Sequence, residues 1–352
     1  VTEVPGAPRG ARRDHVEPLW DRIDANRFKA GAFLVGFVLF AGVAAALLTG
    51  LAGVFAAVIL LRGDGTTTFI SALPAVMAGA VVLGAGLAIA HAVRALAHPE
   101  RRLPGRFGAV PSQQGTFLET KSALHDMAIA AGYPHSPQLW VIDGCDRVNA
   151  FALGLKDSRA VVGVTRGLTE RLTPDDQRAV FANLMARLRS GDTLWATVVS
   201  SVMGPIWATR TAQFRAQETA DEVGEGVGLA ALAQSREGSG SVVALFILGF
   251  FAVVLTELMM AGHERAARVA AEKADAEGML LLKDPREMLD GLQHTLDVDN
   301  TVPGAGEEYS MLFYCWAGFG YAPEDDPEME RLGRLREVLG AEGSGAGVAT
   351  GR

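Results

Sequence analysis

Cysteine is almost absent from this chain: Cys145 and Cys315 are the only two in 352 residues. One pair cannot make a disulfide framework, so burial and hydrogen bonds must hold the fold, and reduced, inert thiols in a cytoplasmic domain are expected. A positive excess is missing too. The formal charge is −8, from 40 acidic and 32 basic side chains. No basic stripe is available to displace counterions from phosphates, which excludes a nucleic-acid partner. Charge of either sign is sparse, at 20% of residues against 49% hydrophobic, a balance too apolar for an ordinary soluble enzyme. No cleavable signal peptide is expected, because a largely polar stretch, residues 1–29, precedes the first apolar run and is too long for a charged lead.

The apolar residues that are present come in blocks. Ala30–Leu61 contains no charged residue and exceeds the roughly 20 residues that cross a bilayer core, so it reads as one long or tilted span, with any break near Gly50. Arg62–Thr68 (RGDGTTT) makes a tight connection to a second span over Phe69–Val93, rich in the Ala and Gly that let helices approach closely. Residues 30–93 are thus a transmembrane hairpin behind a cytoplasmic tail, 1–29, that carries a short helix near Trp20.

Residues 94–192 change to the pattern of a soluble α/β domain. An amphipathic helix is predicted over 115–131, then short strands over Gln138–Asp143, Asn149–Leu155 and Arg159–Thr165. A further helix opens at Thr173, where a capping hydroxyl, Pro174 and the acidic pair Asp175 and Asp176 coincide. Residues 193–262 read as a second membrane hairpin, Thr193–Ala208 and Ser241–Gly262 around the polar loop 209–239. Helices follow over His263–Thr295 and Pro327–Leu339, within 263–339, and 340–352 is a disordered tail. The fold class is therefore an α-helical membrane protein with an α+β cytoplasmic domain and about four transmembrane helices. Arg9, Arg12, Arg13, Arg22, Arg27 and Lys29 precede the first span, Arg94, Arg101, Arg102 and Arg106 follow the second, and Arg265, Arg268 and Lys273 follow the last. That bias puts both termini and the domain on the cytoplasmic side of a multi-pass protein of the bacterial cytoplasmic membrane.

NAFALG at Asn149–Gly154, followed by VVGVTRGLTERLTPDDQRAVFANLMARLRSGD from Val161 to Asp192, resembles the HtpX family of membrane zinc metallopeptidases, relatives of the CAAX prenyl protease. In that family an Asn-Ala-Phe-Ala strand and a Val-Thr-x-Gly-Leu step precede a helix bearing Ala-His-Glu-x-x-His, closed by an Asp. The two N-terminal spans, the later hairpin and the Ala274–Asp275 pair of a following helix match as well. The resemblance covers roughly 115–195 and 262–338. It implies a metallopeptidase-like domain and zinc as cofactor, but the positions that would hold the metal carry other residues. The first ligand His falls on Asn183, the general-base Glu on Leu184, the second His on Arg187, the third ligand Glu on Ala271, and a transition-state His on Asp325. Two imidazoles at i and i+4 and a carboxylate beside the first are what the chemistry needs. An amide, an alkyl chain and a guanidinium supply none of it, so no zinc and no other cofactor are expected.

The resemblance therefore implies an inactive pseudoprotease that keeps its cleft, with Asn149, Ala150, Phe151, Arg187 and Asp275 as candidate cleft residues. The Asn149–Leu155 strand is expected to take an extended peptide by edge addition. Expected partners, besides the membrane, are an active protease, an unfolded membrane protein in a quality-control role, or another membrane complex. Arg187 and Asp275 are expected to form an ion pair at the former metal position, unless Arg187 turns to solvent. Two alternatives stand: an active zinc endopeptidase with unorthodox ligands such as His263, His294 and Asp297, or a purely structural membrane subunit.

Overall fold

A computed structural model describes residues 19–60, 64–207, 262, 265–315 and 326–340. The tail 1–18, the loop 209–239, the expected span before Gly262, Asp325 and the tail from 341 lie outside the described residues. The first element, α1, runs from Leu19 to Leu60 without a break at Gly50. The short helix expected near Trp20 is thus the start of the first span, and a reason is visible in its partners. Asn26 is buried and donates to the Ser190 carbonyl (3.1 Å) and the Asp192 carboxylate (2.8 Å). Arg22 pairs with Asp192 and Glu277. These contacts anchor the polar turns of α1 on the domain.

Helix α2 spans Asp64–Leu96, so residues 64–68, expected in the connection, already belong to it. Two stretches, Asp21–Val54 and Thr68–Leu96, are long and apolar enough to cross a membrane. They pack through small residues. A side chain added at Gly84 would meet the Ala45 methyl at 2.6 Å and the Ala41 carbonyl at 2.7 Å, and one at Gly42 would meet the Val81 carbonyl at 3.2 Å. Their outer faces present Leu39, Val43, Val82, Leu83, Leu87 and Val93 uncovered, a surface that suits a lipid environment.

Beyond a short α3 (Pro99–Arg106) the domain is a four-stranded sheet with helices on both faces. The strands are β1 (Val110–Pro111), β2 (Gln138–Ile142), β3 (Ala150–Leu153) and β4 (Val161–Thr165), in the order β1-β2-β4-β3. β2 and β4 are parallel, while β1 and β3 run antiparallel to their neighbours. β1 was not expected, since two residues ending in proline carry no strand pattern. On one face pack α4 (Leu118–Ala130) and α6 (Pro174–Ser190), and the short α5 (Arg166–Arg171) links β4 to α6. The other face holds Phe107, Phe151, Tyr309, Leu312 and Phe313. Gly163 lies beneath the Phe151 ring, whose nearest atom is 2.0 Å from where a Cβ would stand, so the aromatic lies flat across β4 only because that residue is glycine.

α6 starts where its sequence says. Thr173 accepts from the Asp176 backbone, Asp176 accepts from Thr173, and Gly191 stops the helix at φ +77°. Residues 193–208, expected in the membrane, open as α7 (Asp192–Val202), whose Ala196–Val202 stretch is buried. It sits against both hairpin helices, with Trp195 edge-on to Phe33 at 5.6 Å. Helix α8 covers 265–279, α9 Arg286–Leu296 and α10 Pro327–Val338.

Candidate functional site

The i, i+1, i+4 spacing of Asn183, Leu184 and Arg187 on α6 puts the first and last on one helical face. All three are buried, to 0%, 0% and 2% exposure. α8 crosses this face and brings Ala271 and Asp275, and α10 adds Glu328 and Arg331. The Asn183 amide donates to Asp275 at 2.7 Å, and Ala271, half-buried, offers only a backbone carbonyl at 3.4 Å.

The expected pair between Arg187 and Asp275 does not form. Asp275 is taken by Arg331, whose Nε and Nη2 donate to its two carboxylate oxygens at 2.6 and 2.7 Å. The same guanidinium donates to Glu328 at 2.8 Å and lies over the Tyr314 ring at 4.9 Å. A planar fork suits two carboxylate oxygens at once, which is why Arg331 wins this partner. Burial works against its charge, but Asp275 and Glu328 outweigh that and hold it protonated well above the ordinary arginine range.

Arg187 does not reach solvent either. Its Nη1 donates to the Phe313 carbonyl at 2.7 Å, and its Nε has no partner among the described residues. Burial pulls this guanidinium down to about 10, opposed by Asp192. It is a charged group at neutral pH, at the position where the resemblance implies the second metal-binding imidazole.

The reason for Arg187 lies in what it grips. Phe313 makes an antiparallel bridge with Phe151, and the Tyr314 N–H donates to the Ala150 carbonyl at 2.7 Å. The segment Phe313–Cys315 therefore lies along the outer edge of β3. Its three carbonyls are held in succession by three buried donors: Phe313 by Arg187 (2.7 Å), Tyr314 by Arg331 (2.8 Å) and Cys315 by the Asn149 amide (3.1 Å). The Asn149 carboxamide oxygen in turn accepts from Ala150 N at 2.8 Å and Cys315 N at 3.3 Å.

The five candidate cleft residues are thus brought together, but as a closed assembly. Asn149, Ala150, Phe151, Arg187 and Asp275 are all 2% exposed or less. Edge addition of a free peptide at Ala150 is corrected accordingly: the chain's own Tyr314 already occupies that acceptor, and a peptide would first have to displace it. Hydrogen bonds from charged donors are each worth about 1.5–3 kcal/mol, so displacement is costly. Sequence reasoning missed the Phe313–Cys315 segment and the role of Arg331. The signal was the Asp326-Pro327 helix start with Glu328 and Arg331 three apart, which places acid and base on one face.

Zinc does not fit these residues. The amide nitrogen of Asn183 faces Asp275, Leu184 has no donor atom, and two guanidinium groups line the space. Among the described residues no three His, Cys, Asp or Glu side chains gather closely enough to hold a metal. Of the unorthodox ligands considered, His294 instead bonds Asp176 at 2.9 Å, and His263 lies outside the described residues. Burial pushes both the Cys145 and the Cys315 thiol up, away from nucleophilic character.

Comparison with known proteins agrees with the architecture. The model of peptidase family M48 matches residues 115–336. A protease HtpX homolog of Thermoanaerobacter pseudethanolicus is 25% identical over 235 residues, covering 66% of this chain and 75% of that protein. One from Acidiphilium cryptum is 34% identical over 129 residues, covering 35% and 44%. Another, from Caldanaerobacter subterraneus, is 27% identical over 188 residues, covering 53% and 59%. The chain spans less than two thirds of the length of these last two. The strand, the capped helix and the family match converge: the chain belongs to peptidase family M48, among its HtpX-type members.

Proposed function

We propose that this protein is a non-catalytic HtpX-type member of the membrane, a pseudopeptidase that works by association with a partner. The observation that carries the reading is Arg187. A buried guanidinium stands one helical turn from Asn183, where the family resemblance implies the second metal-binding imidazole, and it clamps the chain's own Phe313–Cys315 across the strand edge. A structural zinc site is worth on the order of 10–16 kcal/mol only when several good ligands act together. This site offers a cation repulsion instead. A partner is then engaged outside the closed cleft; an active protease, an unfolded membrane protein or another membrane complex each fits a multi-pass protein of the cytoplasmic membrane. The relatives described above, each named a protease, support the alternative of an active zinc endopeptidase.

One experiment separates the two. Zinc is measured by elemental analysis on the detergent-purified full chain after mild dialysis, alongside cleavage of an unfolded protein with and without chelator. Zinc far below one per chain, with no chelator-sensitive cleavage and no gain in Asn183→His alone, is the expected result. Zinc near one per chain overturns the proposal.

A further inference from the structure

The end of the second span builds a basic cavity apart from the Arg187–Arg331 assembly. Arg94 from the last turn of α2 and Arg102 and Arg106 from α3 line a cavity of about 240 Å³. His91, Ala95, Leu103, Ser201, Pro205 and Tyr309 line it too, and among the described residues no carboxylate contributes to the wall. The parts are mutually positioned. Arg102 donates to the Arg94 carbonyl at the C-terminus of α2, the Arg106 guanidinium lies 5.2 Å from the centre of the Tyr309 ring, and His91 contacts the Val202 carbonyl at 3.0 Å. The Ser201 side chain is 5% exposed, and its hydroxyl has no partner among the described residues.

Basic residues beside a span are what topology alone requires. Topology does not require three of them around one cavity whose described wall holds no acid. Several other arginines of the domain come with carboxylates: Arg147 with Asp299, Arg166 with Asp143 and Glu170, Arg178 with Asp175, Arg334 with Glu272. Among the described residues Arg94, Arg102 and Arg106 make no such pair. The cavity also has a fixed depth, because the uncovered apolar face of α2 ends at Val93. One residue further on stands the first of the guanidinium groups, at the level where a membrane-spanning α2 would bring it to phospholipid phosphates. Apolar Ala95 and Leu103 in the wall suit the glycerol and upper acyl carbons that follow.

We propose that this cavity binds the phosphate headgroup of an anionic phospholipid, held by Arg94, Arg102 and Arg106, with Ser201 donating to a phosphate oxygen. The bound lipid fixes the height and tilt of the domain against the membrane, since α3 and α7 both contribute to the site.

The test uses the full chain in mixed micelles, with phosphatidylglycerol, phosphatidylcholine or inorganic phosphate added, reading bound lipid by native mass spectrometry and thermal stabilisation. Phosphatidylglycerol is expected to bind about tenfold to a hundredfold more tightly than phosphatidylcholine. The triple variant Arg94→Gln, Arg102→Gln, Arg106→Gln should lose that preference. A charge-matched control, Arg147→Gln, Arg166→Gln, Arg178→Gln, should keep it. Equal loss in both variants assigns the effect to bulk charge and overturns the site. Equal stabilisation by inorganic phosphate overturns the lipid assignment, as does equal binding of the two lipids. If the glutamine variant does not fold, the same three positions changed to Lys keep the charge, and an undiminished lipid preference in that variant counts against arginine-specific recognition.

Discussion

The hairpin and the domain solve opposite problems with the same chain. In the α1–α2 hairpin many large apolar side chains face outward, and glycines of one helix make room for the other, Gly84 for Ala41 and Ala45, Gly50 for Met77 and Gly53 for Leu73. In the domain the large apolar side chains face inward, and the centre holds charge: Arg187, Asp275 and Arg331 are each 4% exposed or less. The hairpin specifies its packing by absence of bulk, because lipid offers no hydrophobic drive between helices. The domain specifies its packing by directed bonds from two guanidinium groups and one amide, each of which is costly to bury unless satisfied. The difference teaches where each region is fragile. A polar deletion should ruin the domain, and an added side chain should ruin the hairpin.

Three substitutions sharpen this contrast. The largest effect is expected from Asp275→Asn, which removes the charge that Arg331 grips with two nitrogens. Breaking a buried pair from one side costs about 3–5 kcal/mol, and denaturant unfolding followed by tryptophan fluorescence should show it. A loss under 1 kcal/mol would mean that the cluster does not hold the domain. Next comes Gly84→Leu. Its side chain has to enter space already filled by Ala41 and Ala45, and overpacking of this kind costs about 1–3 kcal/mol. Limited proteolysis should reveal a loosened hairpin while the unfolding midpoint of the domain stays in place; an unchanged digestion pattern breaks the comparison. The smallest is Thr173→Ala. It deletes one half of the α6 capping box, for about 1 kcal/mol, again read by denaturant midpoint, and Thr173→Ser should restore most of it.

What the sequence made legible were features written in neighbouring residues. The Thr173-Pro174-Asp175-Asp176 start of α6, the strands around Trp140, Ala152 and Val162, and the uncharged run after Ala30 all announce themselves by local pattern. The face of Asn183 and Arg187 was legible for the same reason, since i and i+4 share a side of any helix. Partners across the chain were not. Nothing near Asp275 reveals that Arg331 rather than Arg187 reaches it, because that choice depends on where α10 docks. The Phe313–Cys315 segment has no strand pattern of its own and becomes one only against β3. Likewise the early start of α1 at Leu19 follows from Asn26 and Arg22 finding Asp192 and Glu277, residues far along the chain.

The clamp on Phe313–Cys315 also sets an order of events during synthesis. Arg187 and Phe313 stand 126 positions apart, and Asn149 and Cys315 166. A ribosome delivers α6 long before the carbonyls that its arginine holds, and Arg331 later still. Closing such distant contacts is slow, because the entropy of a long intervening loop must be lost before any bond forms. The nascent domain therefore waits, with β3 unpaired on one side until Phe313–Cys315 arrives and the clamp on that segment incomplete until α10 has emerged. Chains stopped anywhere upstream should behave as unfinished throughout the domain, exposing a strand edge to chaperones and proteases, and not as a stable core lacking its last helix.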